Sequence, residues 1–242
     1  MHEVGKNKEL QDFGSQYIQL RHWEGRVYTD EQLRELPKIE THHPHFKEWQ
    51  FRDESSSRLC NYLKKKERPI KILEIGCGNG WLAARLATFT NSQVLGIDIN
   101  EKEIEQARSV FSQVNNLELR LLAPADLLRT NEQFDVIVFA ASFQYFPFPD
   151  EILGVCMEIL NEEGEIHIID SHFYPISELA SARKRSELYF EAVGFPELSK
   201  YYFHHTLDDI DDYEYQVLYD PNSLFNRFIR NKNPFHWIRI LK

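Results

Sequence analysis

Long apolar runs, paired cysteines and surplus positive charge are all missing from this 242-residue sequence. No stretch approaches the ~18 apolar residues that cross a bilayer, and the segment Met1 to Lys6 has no apolar signal core. The expectation is a chain in the cytoplasm with no membrane partner. Cys60, Cys77 and Cys156 have neither the spacing of a metal knuckle nor the even count of a disulfide framework, which suits a reducing compartment and a packing role. The 28 basic residues are outnumbered by 38 acidic ones, and the formal charge of −10 repels phosphate backbones. Nucleic acid is therefore a disfavoured partner. The basic groups Lys64-Lys65-Lys66 with Arg68, and Arg227, Arg230, Lys232, Arg239 and Lys242, read as a solvated helix end and ordinary surface. His42-His43-Pro44-His45 gathers three imidazoles, but the proline breaks helical spacing and no adjacent Cys or acid completes a set, so no metal is expected.

What is present is a glycine cluster. In Leu73-Glu74-Ile75-Gly76-Cys77-Gly78-Asn79-Gly80, three of the ten glycines fall within five residues, directly after the apolar run Ile70 to Ile75. Glycine allows positive φ and lets a ligand approach bare backbone, and the helix that follows offers unpaired N–H groups. A dinucleotide fingerprint, Gly-x-Gly-x-x-Gly, needs a third glycine at position 81, where this chain has Trp81. That speaks against a nicotinamide oxidoreductase.

The Glu-x-Gly-x-Gly-x-Gly spacing resembles the first motif of the class I S-adenosylmethionine-dependent methyltransferases, and an ordered series of matches follows it. Val94 to Asn100 is a short apolar strand that ends in Asp98, twenty-two residues after Gly76; Pro124-Ala125-Asp126-Leu127 follows a third strand; Phe134 to Ala140 resembles the fourth-strand motif; Leu160 to Ile169 resembles the turn and fifth strand. The resemblance runs from about Ile70 to Asp170. It implies a doubly wound, mainly parallel seven-stranded sheet with the last strand antiparallel, and S-adenosyl-L-methionine as cofactor. Its implied contacts are Glu74 near the amino end, Gly76, Cys77, Gly78 and Gly80 in the loop, and Asp98 with Ile99 at the ribose. Ala125, Asp126 and Leu127 are implied at the adenine, with Ala140, Ala141 and Tyr17 completing the set. Asp98 has a plainer reading as a cap for the helix beginning near Asn100.

Alternation of short apolar strands with longer helical patterns supports the same α/β class. The expected elements are strands at 70–75, 93–98, 117–122, 134–140 and 164–170 and helices at 79–89, 100–113, 149–160 and 176–192. Two late strands begin near Tyr213 and Phe235, with a short helix between them. Residues 1–57, rich in aromatics, are expected to pack on the core as an N-terminal lid, leaving 58–242 as the methyltransferase domain. Tyr17, Arg21, Trp49 and Arg52 are its candidate contacts.

Ligands of open α/β sheets sit beyond the C-terminal strand ends, which makes the loops after strands four and five the source of acceptor-side groups. Ala141 to Pro147 lacks the Asn/Asp-Pro-Pro-Tyr/Phe and Pro-Cys motifs of nucleic-acid methyltransferases and is closer to small-molecule enzymes, with Gln144 or Tyr145 facing the acceptor. His172, His204 and His205 are the candidate bases for an acceptor that must lose a proton, titrating near the ordinary histidine value of ~6.5. The expected partner is a small-molecule acceptor. A protein that binds S-adenosylmethionine or S-adenosylhomocysteine without catalysis has the same cofactor residues and stays open as the alternative, as does the oligomeric state.

Overall fold

Three helices precede the sheet: α1 (His2–Trp23), α2 (Asp30–Glu35) and α3 (Phe46–Lys64). The computed structural model describes residues 2–66, 68–90, 92–228 and 232–242, so Arg230 of the late basic group lies outside the described residues. A capping box starts α2, with Thr29 Oγ1 accepting from the Gln32 amide and Gln32 Oε1 from the Thr29 amide. Its neighbour α3 runs unbroken across residue 57.

Strands and helices then alternate as β1 (Lys71–Ile75), α4 (Trp81–Thr90), β2 (Gln93–Asp98), α5 (Glu101–Val110), β3 (Leu117–Leu121) and β4 (Phe134–Ala140). After these come α6 (Pro149–Ile159), β5 (Leu160–Ile169), α7 (Ile176–Ala192), β6 (Tyr215–Tyr219) and β7 (Trp237–Leu241). The sheet order is β3-β2-β1-β4-β5-β7-β6, with β7 antiparallel to both neighbours and the remaining pairs parallel. The pleat sorts the apolar residues. Ile72, Val94, Val136 and Val138 face α3, α4 and α5, and Leu73, Leu95, Ile137 and Phe139 face α6. Burial on both faces is why these strands read as continuous apolar runs instead of alternating ones.

Some boundaries differ from the sequence expectation for local reasons. The first helix after the glycine loop starts at Trp81, two residues late, because Gly80 sits at φ +74° and cannot belong to a right-handed helix. The fifth strand starts at Leu160, early, because the residues up to Gly164 are a bulge: Phe134 pairs with Leu160 and Val136 with Glu165. A Cβ on Gly164 would lie 2.5 Å from Leu160 Cγ, so the bulge closes only around glycine. The short helix expected between the last strands is a single turn, Asn226–Phe228. The three cysteines are free and buried. Among the described residues no helix is long and apolar enough to cross a membrane.

Of the clustered histidines, His42 pairs with Glu40, His43 Nδ1 accepts from the His45 amide, and His45 Nε2 bonds the Glu24 carbonyl at 2.7 Å. They tie the α2–α3 connection to the end of α1. A second polar cluster locks α3 to the sheet. Glu165 of β5, 3% exposed, accepts from Tyr62 at 2.8 Å and His167 Nε2 at 3.1 Å and pairs with Lys66 at 3.0 Å, while Trp237 Nε1 donates to His167 Nδ1 at 3.0 Å. Because an indole only donates, Nδ1 must be the acceptor and Nε2 carries the proton.

Candidate active site

The C-terminal ends of β1, β2, β4 and β5 open into two adjoining cavities. One, of about 330 Å³, is mostly apolar and lined by Ile97, Asp98, Ile99, Leu122, Ala123, Pro124, Ser142 and Pro147. The other, of about 570 Å³, runs from Glu74, Cys77 and Ala140 past Asp170 and His172 to the α7 wall at Arg185 and Tyr189. Phe13, Tyr17, Gly76, Gly78, Glu103, Ala141 and Tyr145 line both.

The glycines of the first loop do different work. Gly76, at φ +73°, lies against the loop after β4: a Cβ would come within 2.6 Å of Ser142 Cβ, and Ser142 Oγ donates to the Ile75 carbonyl at 2.6 Å. Gly78, at φ +51°, faces the cleft and donates its amide to Asp98 Oδ2 at 2.8 Å. Gly80 packs against Ala107 and Leu119 and serves the fold. Cys77 is buried, with Sγ close to Gly96, and burial pushes its thiol well up, so it stays protonated.

Asp98 does not cap α5. That task belongs to Asn100, whose Oδ1 accepts from the Glu103 amide. Asp98 instead accepts from the Gly78 and Asn100 amides, each at 2.8 Å, while bordering the apolar cavity. Ile99 lines the same wall. Asp126 borders a neighbouring cavity of about 440 Å³ that shares Ile99, Leu122 and Ala123, and it pairs with Arg129 at 3.1 Å. Ala125 is exposed and lines none of these cavities, and Leu127 turns into the core beneath them. A Pro at the first position of the 3₁₀ turn Pro124–Arg129 fixes that rotation, presenting Ala123 and Pro124 to the cleft.

Three carboxylates crowd one end. Glu74 is 2% exposed, its Oε2 has no hydrogen-bond partner among the described residues, and burial with Asp98 nearby pushes it well up. Burial also raises Asp98, and together with the Asp98 charge it carries Glu103 to about 7. A ligand with a positive charge and N–H groups relieves this crowding. The ammonium and sulfonium of S-adenosylmethionine are such groups, and the apolar cavity beside Asp98 suits a purine, so the residues present fit the cofactor.

Helix α1 roofs the cleft. Phe13 and Tyr17 reach both cavities, and the Tyr17 ring meets Tyr145 edge-on at 5.8 Å. Burial lifts the Tyr17 hydroxyl to about 12 and Tyr145 further, so both phenols stay neutral. Arg21 stacks on Tyr17, and Glu48 of α3 is held by Arg26 at 2.6 and 2.7 Å and by Arg52 at 3.0 and 3.1 Å. Against the cost of burial, these bonds bring the Glu48 carboxyl down to about 2.

The histidines separate. His172 lines the large cavity with its ring 4.6 Å from that of Phe235, and burial, with Arg185 and two other histidines near, pushes it down to about 4 instead of the expected 6.5. His204 and His205 lie outside that cavity. His204 bonds Ser186 Oγ at 2.9 Å, and both border a separate space of about 300 Å³ on the other side of α7. Sequence reasoning passed over Glu103 and Asp170. The strand-end rule that singled out His172 applies equally to Asp170 two residues earlier, and Glu103 sits in the first turn of the helix that follows Asp98.

A family model described as a methyltransferase domain matches residues 66–216. Among curated relatives, ubiquinone biosynthesis O-methyltransferase of Acinetobacter baylyi is 30% identical over 99 residues, covering 40% of this chain and 41% of that protein. The protein of the same name from Neisseria meningitidis is 28% identical over 99 residues, covering 40% and 42%. The matched stretch thus spans about two-fifths of the length of these relatives. Similar folds occur in the plantazolicin methyltransferase BpumL in complex with SAH, at TM-score 0.56 and 18% identity over 98% of both chains. Magnesium protoporphyrin IX methyltransferase from Synechocystis PCC 6803 with bound SAH gives TM-score 0.58 and 13% identity, covering 85% of this chain and 89% of that one. With the family model matched over well over half of the sequence, on a fold of this strand order, the chain belongs to the class I S-adenosylmethionine-dependent methyltransferases.

Proposed function

We propose that the protein transfers a methyl group from S-adenosylmethionine to a small acceptor held in the 570 Å³ cavity. The observation that carries this reading is the junction of the two cavities at Gly76, Gly78, Ala141 and Tyr145, which gives a cofactor seated by Asp98 and Glu74 an open face toward His172 and Asp170. When bound, the cofactor supplies an electrophilic methyl group on a positively charged sulfur. Glu74, Asp98, Gly76 and Gly78 hold it. Tyr145 and Tyr17 exclude water from the junction and orient the acceptor, which is the larger part of what such a reaction asks of a protein. The relatives' names, built on ubiquinone, plantazolicin and protoporphyrin, support an acceptor of low molecular weight.

In this reading residues 1–57 form the part that closes over the site. S-adenosylhomocysteine is expected to bind at micromolar affinity, raise the melting temperature and slow hydrogen exchange in α1, and NAD to do none of these. A stabilisation by NAD with none by S-adenosylhomocysteine would contradict the reading. Unchanged exchange in α1 on binding would remove the lid from it.

His172 is the proposed proton acceptor. With its pKa pushed down to about 4, the imidazole is neutral throughout the neutral range and has a free lone pair, though as a weak base; its place on the cavity wall is what supports the role. His172→Gln is expected to slow single-turnover methyl transfer to a metabolite extract about a hundredfold, with S-adenosylhomocysteine affinity retained. A wild-type rate would assign His172 to packing against Phe235. Binding of the cofactor with no transfer to any extract, by the wild-type protein, would favour the non-catalytic alternative.

A further inference from the structure

Asp170 directly follows β5 at φ +56°, a backbone conformation costly for residues with a side chain, of which Asn and Asp tolerate it best. It is 5% exposed and lines the large cavity, and neither carboxylate oxygen has a hydrogen-bond partner among the described residues. An unpaired buried carboxylate is one of the costlier groups a fold can carry.

The neighbours that could relieve it are engaged elsewhere. Arg52 turns its guanidinium to Glu48, at 3.0 and 3.1 Å. Arg58 stacks over the Tyr219 ring at 4.1 Å and pairs with Glu54. Ser55 Oγ donates to the Phe51 carbonyl at 2.9 Å and accepts from Asn233 Nδ2 at 2.8 Å; it lies close enough to Asp170 to lower that carboxyl, but its single proton serves one acceptor at a time. Two free oxygens offer about four lone-pair directions. A lone hydroxyl supplies one donor and no charge, whereas an ammonium or guanidinium supplies several donors and the countercharge.

We propose that the methyl acceptor carries a basic nitrogen, an ammonium or guanidinium group, which the Asp170 carboxylate holds at the β5 end of the cavity; this rests on the methyltransferase reading and narrows its acceptor class. Burial, opposed in part by the nearby Arg52 charge and Ser55, raises the Asp170 carboxyl to about 6, which leaves it mostly ionised in neutral solution. Arg185 opposes a cation with one positive charge from the α7 wall, and an anionic group elsewhere on the acceptor would meet it. Glu74, also unpaired, lies at the cofactor end of the cavity, and at the β5 end the unpaired carboxylate is Asp170.

The test is calorimetry and thermal shift on the full chain saturated with S-adenosylhomocysteine, using tyramine against tyrosol and benzylamine against benzyl alcohol, pairs that differ in the amine alone. Each amine is expected to bind at least tenfold more tightly than its alcohol, and Asp170→Asn to erase the difference. Asp170→Gly, which also accepts positive φ, is a second variant should the first fold poorly. Amines no better than alcohols, or a preference that survives in both variants, overturns the proposal. Failure of the wild-type protein to bind S-adenosylhomocysteine is a separate result, and it overturns the methyltransferase reading on which this one stands.

Discussion

Gly78→Val is expected to lower S-adenosylhomocysteine affinity at least a hundredfold in a protein that still folds. Three effects combine. An L side chain at φ +51° costs about 1–2 kcal/mol, and β-branching adds to that. Turning the peptide to escape the strain breaks the 2.8 Å bond from the Gly78 amide to Asp98, which aligns the loop with the end of β2. The valine methyls then occupy the junction where both cavities meet. The protein itself has room for the first carbon: a Cβ here meets the Glu103 carboxylate at 3.4 Å, ordinary contact, unlike Gly76, where Ser142 stands at 2.6 Å. The damage therefore falls on the ligand more than on the fold. Calorimetry on the variant, after its melting temperature is confirmed, decides the matter; a Kd within tenfold of wild type would mean that the ligand does not pass over this residue.

The glycine loop was legible because it uses residues with no side chain at a strand-to-helix turn, and few other tasks demand that. Its neighbours were less so. Asp98 had two readings from sequence, cofactor contact and helix cap, and the geometry, with Asn100 taking the cap, removes the second. Leu127 and Ala125 were placed at the cleft by motif position, but the proline-led turn rotates one into the core and the other to solvent. The sheet followed from runs buried on both faces. The bulge at 160–164 did not, since it depends on the register of β5 against β4.

The acceptor side was the least legible, because it is assembled from elements far apart in sequence. Tyr17 and Arg21 of α1, Trp49 and Arg52 of α3 and His172 after β5, candidates from their place in the chain, do line one cavity, but Arg185 and Tyr189 of α7 join them through packing that no local pattern announces. His204 and His205 have the composition of site residues, yet a segment that pairs Phe173 with His205 carries them behind α7. Local motifs report what the backbone near them must do, and a wall contributed by the middle of a helix such as α7 leaves no such trace.

Glu165→Gln is expected to destabilise the protein by about 2–4 kcal/mol, roughly 5–10 °C in melting temperature for a chain of this size. The carboxylate is the common acceptor for Tyr62, His167 and Lys66, with Arg239 at 3.7 Å, and it joins α3 to β5 and β7. Burial alone would raise its pKa, but the bonds from His167, Lys66 and Tyr62 prevail and hold it at about 2, against the ordinary glutamate value of 4.5. A carboxylate whose pKa is depressed in the fold contributes stability above its unfolded pKa and loses it as pH falls through the folded one. The contribution, on the order of 3 kcal/mol, is thus complete above about pH 4.5 and lost toward pH 2. Denaturant titrations across that range should give a steep loss for the wild type and a flatter curve for Glu165→Gln, which lacks the charge at every pH. Glu163→Gln, at an exposed position two residues away, should stay within about 0.5 kcal/mol of wild type. Parallel acid profiles for wild type and Glu165→Gln would mean that the ion cluster behind β5 is neutral in its net effect, and that α3 is held to the sheet by other contacts, the packing of Leu59 and Leu63 among them.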